Sequence, residues 1–205
     1  MSTIKTLIFD FGDVFINLDK QGAMTNALQL FEVDELPEEL VSINTLYEQG
    51  LISTKEFIDF YTENFPKLSE KEIIDAWNFI LKDFPENRLE FLKKLAKDKK
   101  YKLILLSNTN DLHMTWIANN VSFFEEFKAC FDVFYLSHEI YLRKPNADIY
   151  EFVLKENKLK AEECFFIDDT KDNTDTASKL GIKVWNIDET SQDIVDLFTI
   201  NKTLF

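Results

Sequence analysis

Five short, nearly unbroken apolar runs stand out along the chain, at residues 5–11, 101–107, 131–136, 164–167 and 182–187. Hydrophobicity that does not alternate suits strands covered on both faces, as in a parallel sheet. Between the runs the apolar spacing becomes helical. Leu89, Leu92, Leu95 and Ala96 form one stripe, and Ile149, Phe152 and Val153 form another. Strands alternating with helices predict an α/β fold with a doubly wound parallel sheet.

One interval is too long for a simple crossover. Ninety residues separate Phe11 from Tyr101, whereas a βαβ connection needs about 10–12. A helix over residues 87–97 can make that connection, and the remainder reads as helix throughout. Ser53 with Glu56 and Ser69 with Glu72 match the capping box, in which Ser and Glu satisfy each other's backbone donors at a helix start. Pro37 and Pro66 punctuate the helices, and Gly50 is placed to end one. The expected organisation is a core of residues 1–18 and 85–205 with an inserted helical bundle, residues 19–84. Such an insertion lies over the carboxyl end of the sheet, where ligands bind in this architecture.

Composition narrows the function classes. Of 205 residues 45% are apolar and 20 are Phe, enough for a sizeable core. Lys and Arg number 23 against 37 Asp and Glu, a net charge of -14 that repels polyphosphate backbones. Nucleic acid is therefore not an expected partner. No apolar run approaches the roughly 18–20 residues of a membrane-spanning helix, and the start lacks the pattern of a signal peptide. Cys130 and Cys164 have no metal spacing and read as free thiols of a cytoplasmic protein.

The chemistry lies at the ends of the apolar runs and just beyond them. Asp10 ends the first, with Gly12 and Asp13 next along the chain. Ser107 ends the second, before Asn108. Lys144 comes after the third, and Asp168-Asp169 closes the fourth, with Asn173 a turn later. In a parallel sheet these positions share one rim. Three converging carboxylates repel by several kcal/mol at intermediate dielectric. A Mg²⁺ ion bound by Asp10, Asp169, a further carboxylate from Asp168 and the carbonyl of Gly12 relieves this. Gly12 suits a sharp turn with close approach to a ligand. Lys144 and Ser107 then remain to bind an anion, which is equipment for phosphoryl transfer.

This ordered set resembles the four motifs of the haloacid dehalogenase-like (HAD) hydrolase superfamily, whose fold is Rossmann-like. The likeness spans the chain, and the helical insertion falls where that superfamily carries its cap. More narrowly, FDFGDVFINLD, YEQGLISTKEF, LLSNTN, FYLSHEIYLRKPNADIY and FFIDDTKDN are similar to bacterial glucose-1-phosphate phosphatase-like members. The resemblance implies Asp10 as nucleophile, forming an aspartyl-phosphate, and Ser107 and Asn108 as holders of phosphate oxygens. It makes Lys144 the neutralising cation and Asp169 the main side-chain metal ligand beside Asp10, with Asp168 a further ligand or a partner to one. Asn173 orients the acidic pair. The implied substrate is a small phosphorylated metabolite such as a hexose 1-phosphate, acted on by a monomer or weak homodimer without membrane or nucleic acid.

One departure matters. Many phosphatases of this superfamily carry an aspartate two residues after the nucleophile as general acid and base, and here that residue is Gly12. Asp13, a cap residue or a metal-ordered water are the substitutes, and a better leaving group such as an anomeric sugar phosphate lessens the need. The alternatives are a haloacid dehalogenase, for which the second acidic pair is a liability, a phosphomutase, which needs an acid at Gly12, and an inactive binding module. His113 and His138 read as structural, Trp77, Phe79 and Trp116 as packing with an option on stacking, Asp19 as a loop or hinge carboxylate, and Asp34, Glu35, Glu38 and Glu39 as an exposed helix start.

Overall fold

The apolar runs form five parallel strands: β1 (Thr6–Phe9), β2 (Lys102–Ser107), β3 (Val133–Leu136), β4 (Cys164–Asp168) and β5 (Lys183–Asn186). The structure, a computed structural model, describes residues 4–205. Residues 1–3, at the start of the expected core segment and of the stretch that lacks a signal-peptide pattern, lie outside it. The strand order is β3-β2-β1-β4-β5. β1 is central, and its Phe9 pairs with Leu105 on one side and Ile167 on the other. The next residues on both neighbours, Leu106 and Asp168, therefore flank Asp10.

Both sheet faces are covered, which is why the strands do not alternate in polarity. Leu7, Phe9, Leu103, Leu105, Phe165 and Ile167 point to one side, into a core rich in phenylalanine. That side is closed by α5 (Glu86–Asp98), α6 (Asp111–Asn120) and α7 (Phe124–Lys128), together with the C-terminal α11 (Leu197–Ile200). Phe15 and Phe127 meet there edge to face, ring centroids 5.0 Å apart. Ile8, Ile104, Leu106 and Phe166 point to the other side, against α9 (Ala147–Glu156) and α10 (Lys171–Lys179). The short α8 (Ser137–Ile140) follows β3 directly.

Four further helices, α1 (Lys20–Leu30), α2 (Glu38–Glu48), α3 (Thr54–Asn64) and α4 (Glu70–Asn78), close around a hydrophobic cluster of their own, centred on Phe31, Tyr47, Phe57, Tyr61 and Ile73. Both capping boxes form, at Ser53 with Glu56 and Ser69 with Glu72. Gly50 ends α2 with φ +67°, a left-handed conformation that favours glycine. The two chain segments that enter and leave this layer pair with each other: Asn17 N–H donates to Asp83 O, Lys82 N–H to Asn17 O and Asp19 N–H to Ile80 O. Asp19 caps α1 by accepting from Gly22 N–H, so this carboxylate has a defined local task. Glu38 and Glu39 occupy the exposed first turn of α2. Among the described residues, no helix is long and apolar enough to cross a membrane.

Candidate active site

Register alone brings the first residues of the site together. Asp10 leaves β1 with its N–H bonded to Ile167 O at 2.9 Å. Asp168, the last residue of the adjacent β4, is fully buried. Lys144 enters from the loop between α8 and α9. Its ammonium, with no exposed side-chain surface, lies 2.8 Å from Asp10 Oδ1 and 2.6 Å from Asp168 Oδ2. Burial works against that charge, but Asp10 and Asp168 outweigh it and hold Lys144 above the usual lysine range. Burial pushes the Asp10 carboxyl up to about 7, opposed by Lys144 and reinforced by Asp168 and Asp169.

Asp168 has little capacity left. Asn173 Nδ2 donates to both of its oxygens, at 2.9 and 3.0 Å, and Thr170 N–H donates to Oδ1 at 2.8 Å. With Lys144 on Oδ2, the carboxylate is the anchor of the lysine. The Asn173 side chain thus reaches Asp168 of the acidic pair. Asp169 lies beside it, and oxygens of Asp10, Asp168 and Asp169 come within 4.8 Å of one another.

Two expected features take a different form. The resemblance implies Asn108 as a holder of phosphate oxygens, but its side chain is tied to the Lys144 backbone: Nδ2 donates to Lys144 O at 2.8 Å and Oδ1 accepts from Lys144 N–H at 3.0 Å. It positions the lysine from the end of β2, where Ser107 is buried. The turn expected at Gly12 falls on Asp13, which carries φ +53°, while Gly12 has no positive φ. What presses on Gly12 is packing, since a Cβ there would lie 2.7 Å from Leu18 Cδ1. Asp13 is also less available as a proton donor than its position suggests. Its Oδ1 accepts from Leu18 N–H at 2.8 Å and its Oδ2 meets Lys20 Nζ at 2.7 Å.

The donor set fits a divalent cation. Asp10, Asp13, Asp168 and Asp169 face two ammonium groups, Lys144 and Lys20, so the carboxyl groups outnumber the fixed cations by two. Since Asp168 is saturated by Lys144, Asn173 and Thr170, Asp10 and Asp169 are the carboxylates with coordination capacity.

The sequence model of the haloacid dehalogenase-like hydrolases matches residues 4–181. The chain belongs to that family. Among curated proteins it is similar to a D-ribitol-5-phosphate phosphatase of Bacteroides thetaiotaomicron, at 27% identity over 89% of this chain and 91% of the relative. Among solved structures it is similar to a HAD family enzyme of the same organism in a magnesium complex, with TM-score 0.84, 36% identity and coverage of 96% of this chain and 98% of that one. That enzyme's wild-type complex with magnesium and inorganic phosphate superposes with TM-score 0.80, 35% identity and coverage of 95% and 99%.

Several residues of this HAD hydrolase carry no readable signal in the sequence. Lys20 reaches Asp13 and Asp169 from the start of α1. Asn186, at the end of β5, donates to the backbone carbonyls of Asp168 and Asp169 at 3.2 and 2.7 Å. Buried Arg88 bonds Phe15 O, Asn17 Oδ1 and Asp193, bracing the hinge. Glu48 of α2 pairs with Arg143 at 2.7 Å, next to Lys144. The histidines behave as expected of structural groups. His113 Nε2 donates to Trp77 O, its Nδ1 accepts from Asn110 Nδ2 and its ring stacks on Trp77, and burial lowers it to about 4, so it is neutral at pH 7. Burial lowers His138 as well. Trp116 packs against the main core, and Phe79 is a surface ring beneath Lys82. Both cysteines are free.

Proposed function

We propose that this hydrolase is a cytoplasmic Mg²⁺-dependent phosphatase acting on a small phosphomonoester, a sugar phosphate such as a hexose 1-phosphate. The observation that carries the proposal is the buried Lys144 ammonium held between Asp10 and Asp168, beside Asp169, in a cluster with excess negative charge. The phosphatase activity named for one relative and the magnesium and phosphate named for another agree with it.

Asp10 attacks phosphorus, the bond from phosphorus to the leaving oxygen breaks, and the alcohol departs with a proton. Water then attacks the aspartyl-phosphate, releasing phosphate and restoring the Asp10 carboxylate. Lys144 supplies fixed positive charge to nucleophile and phosphoryl oxygens, with Asp168, Asn173 and Asn108 holding it in place. Ser107, at the end of β2, would hold a phosphoryl oxygen through its hydroxyl. Asp10, Asp169 and the Gly12 carbonyl would hold Mg²⁺, which when bound offsets phosphoryl charge. Gly12 cannot transfer a proton, and Asp13 Oδ1 accepts from Leu18 N–H, so the departing alcohol takes its proton from water.

Residues 19–84 act as the cap in this proposal. Between their helices lies a cavity of about 300 Å³, lined by apolar side chains with Asn44, Glu48, Tyr61, Trp77 and His113, and reaching Lys20 at its edge. It has the size to take a leaving group and exclude bulk water while Asp10 reacts. Trp77 is in contact with Phe57 as well, so its ring is both packing and cavity wall. Dehalogenation needs no metal and would leave the excess of carboxylates around Asp10 and Asp169 without a cation to offset it. The test is phosphate release with Mg²⁺ from sugar 1-phosphates, other sugar and polyol phosphates and p-nitrophenyl phosphate. Activity that needs Mg²⁺ and disappears in Asp10→Asn supports the proposal, whereas full activity in that variant removes the nucleophile.

A further inference from the structure

Lys20 is the first residue of α1, immediately after the hinge. Its ammonium lies 2.7 Å from Asp13 Oδ2 and 2.5 Å from Asp169 Oδ2, both on the core, while its side chain is 49% exposed. Two acidic groups overlap here. Asp10, Asp168 and Asp169 form one, and Asp13, Asp169 and Glu189 form the other, with Asp169 common to both. Lys20 serves the second group, so Asp169 already has a cation partner on one oxygen.

We infer that Lys20 is a positioning residue that competes with the divalent cation for Asp169, so that metal occupancy loosens the tie between cap and core. The inference rests on the Mg²⁺ site proposed above. An ammonium and a divalent ion sharing one carboxylate repel each other across a few ångströms. Asp10 and Asp169 hold the divalent ion, and Lys20, flexible and half-exposed, is the partner free to retreat into water. Asp13 and Asp169 belong to the core and Lys20 to the first turn of the inserted helices, so its retreat removes an ion pair that joins the two. Lys144 does not compete in this way, because it is fully buried and pairs with Asp168 and Asp10.

The experiment is isothermal titration of MgCl₂ into the full-length protein as wild type, Lys20→Met, Lys20→Gln and Lys20→Arg, with thermal melting in EDTA alongside. Lys20→Met and Lys20→Gln should bind Mg²⁺ about two- to fivefold more tightly, the worth of one partly exposed ion pair. Lys20→Arg should stay near wild type. Without metal the two neutral variants should melt at lower temperature, and saturating Mg²⁺ should raise their melting temperatures by more than the wild type's. Unchanged affinity in the neutral variants overturns the inference and leaves the phosphatase proposal standing. Weaker affinity also overturns it, making Lys20 a support for the metal. No Mg²⁺ binding to any of the four proteins removes the metal proposal and the inference together.

Discussion

Lys144 Nζ lies 2.8 Å from Asp10 Oδ1 in a pocket that leaves the lysine side chain no exposed surface. The same nitrogen reaches Asp168, so one cation serves two buried carboxylates. Removing it leaves both without compensation, which costs about 3–5 kcal/mol in comparable buried pairs. Lys144→Met is therefore expected to lower the free energy of unfolding in EDTA by that order and to abolish phosphate release. Lys144→Arg should not restore activity, because the fork of a guanidinium does not fit the enclosed space of a single ammonium. Urea titration and a phosphate assay on both variants check this.

The Asp10 carboxyl, raised by burial to about 7 from an ordinary 3.8, makes the metal-free protein sensitive to pH. Between those values the folded chain holds a proton that the unfolded chain has released. The stabilisation from this group is complete below about pH 4 and is lost as pH rises through 7. Asp10→Asn has no such group. Its melting temperature in EDTA, relative to wild type, should rise from pH 5 to about pH 7 and level off above it, and Mg²⁺ at pH 8 should favour the wild type again. A pH-independent difference would show that Asp10 is not protonated in the metal-free fold.

Gly12 offers a direct test of the missing general acid. Any side chain there meets Leu18 Cδ1, the end of a flexible side chain rather than backbone, and the position has no positive φ. Gly12→Asp should fold with a loss of roughly 1–2 kcal/mol, and Leu18→Ala in the same chain makes room. If proton transfer limits the reaction, the variant should turn over alkyl phosphates faster relative to p-nitrophenyl phosphate, by a factor approaching about 10². An unchanged ratio would place the proton donor outside this position.

Gly50, just past the end of α2, packs closely on the backbone of α8. Its φ is +67°, and a Cβ there would lie 2.0 Å from the backbone oxygen of His138. Neither strain can be relieved by a side-chain rotation. Gly50→Ala is expected to cost about 2 kcal/mol or more and to disturb the neighbouring contacts, Glu48 with Arg143 and Ser137 Oγ with Glu48 O. Since Arg143 adjoins Lys144, activity should fall together with stability. Chemical denaturation and steady-state kinetics on the same preparation would expose a case where only one of them moves.

The amino-acid order alone determined the strands, the helical insertion and the set of groups at the strand ends. Covered parallel strands need unbroken apolar runs, a capping box needs Ser and Glu three residues apart, and a parallel sheet delivers all its strand ends to one rim. Those are short-range or topological requirements, and Asp10, Ser107 and Asp168-Asp169 are legible through them. The tertiary structure decided which partner each group takes. Lys20 on Asp169, Asn108 on the Lys144 backbone, Arg88 across the hinge and Leu18 against Gly12 join residues through side-chain reach and local packing, for which spacing along the chain carries no signal. Hydrophobic periodicity records which face of an element is buried, whereas a hydrogen bond of about 3 Å depends on where two separate elements come to rest.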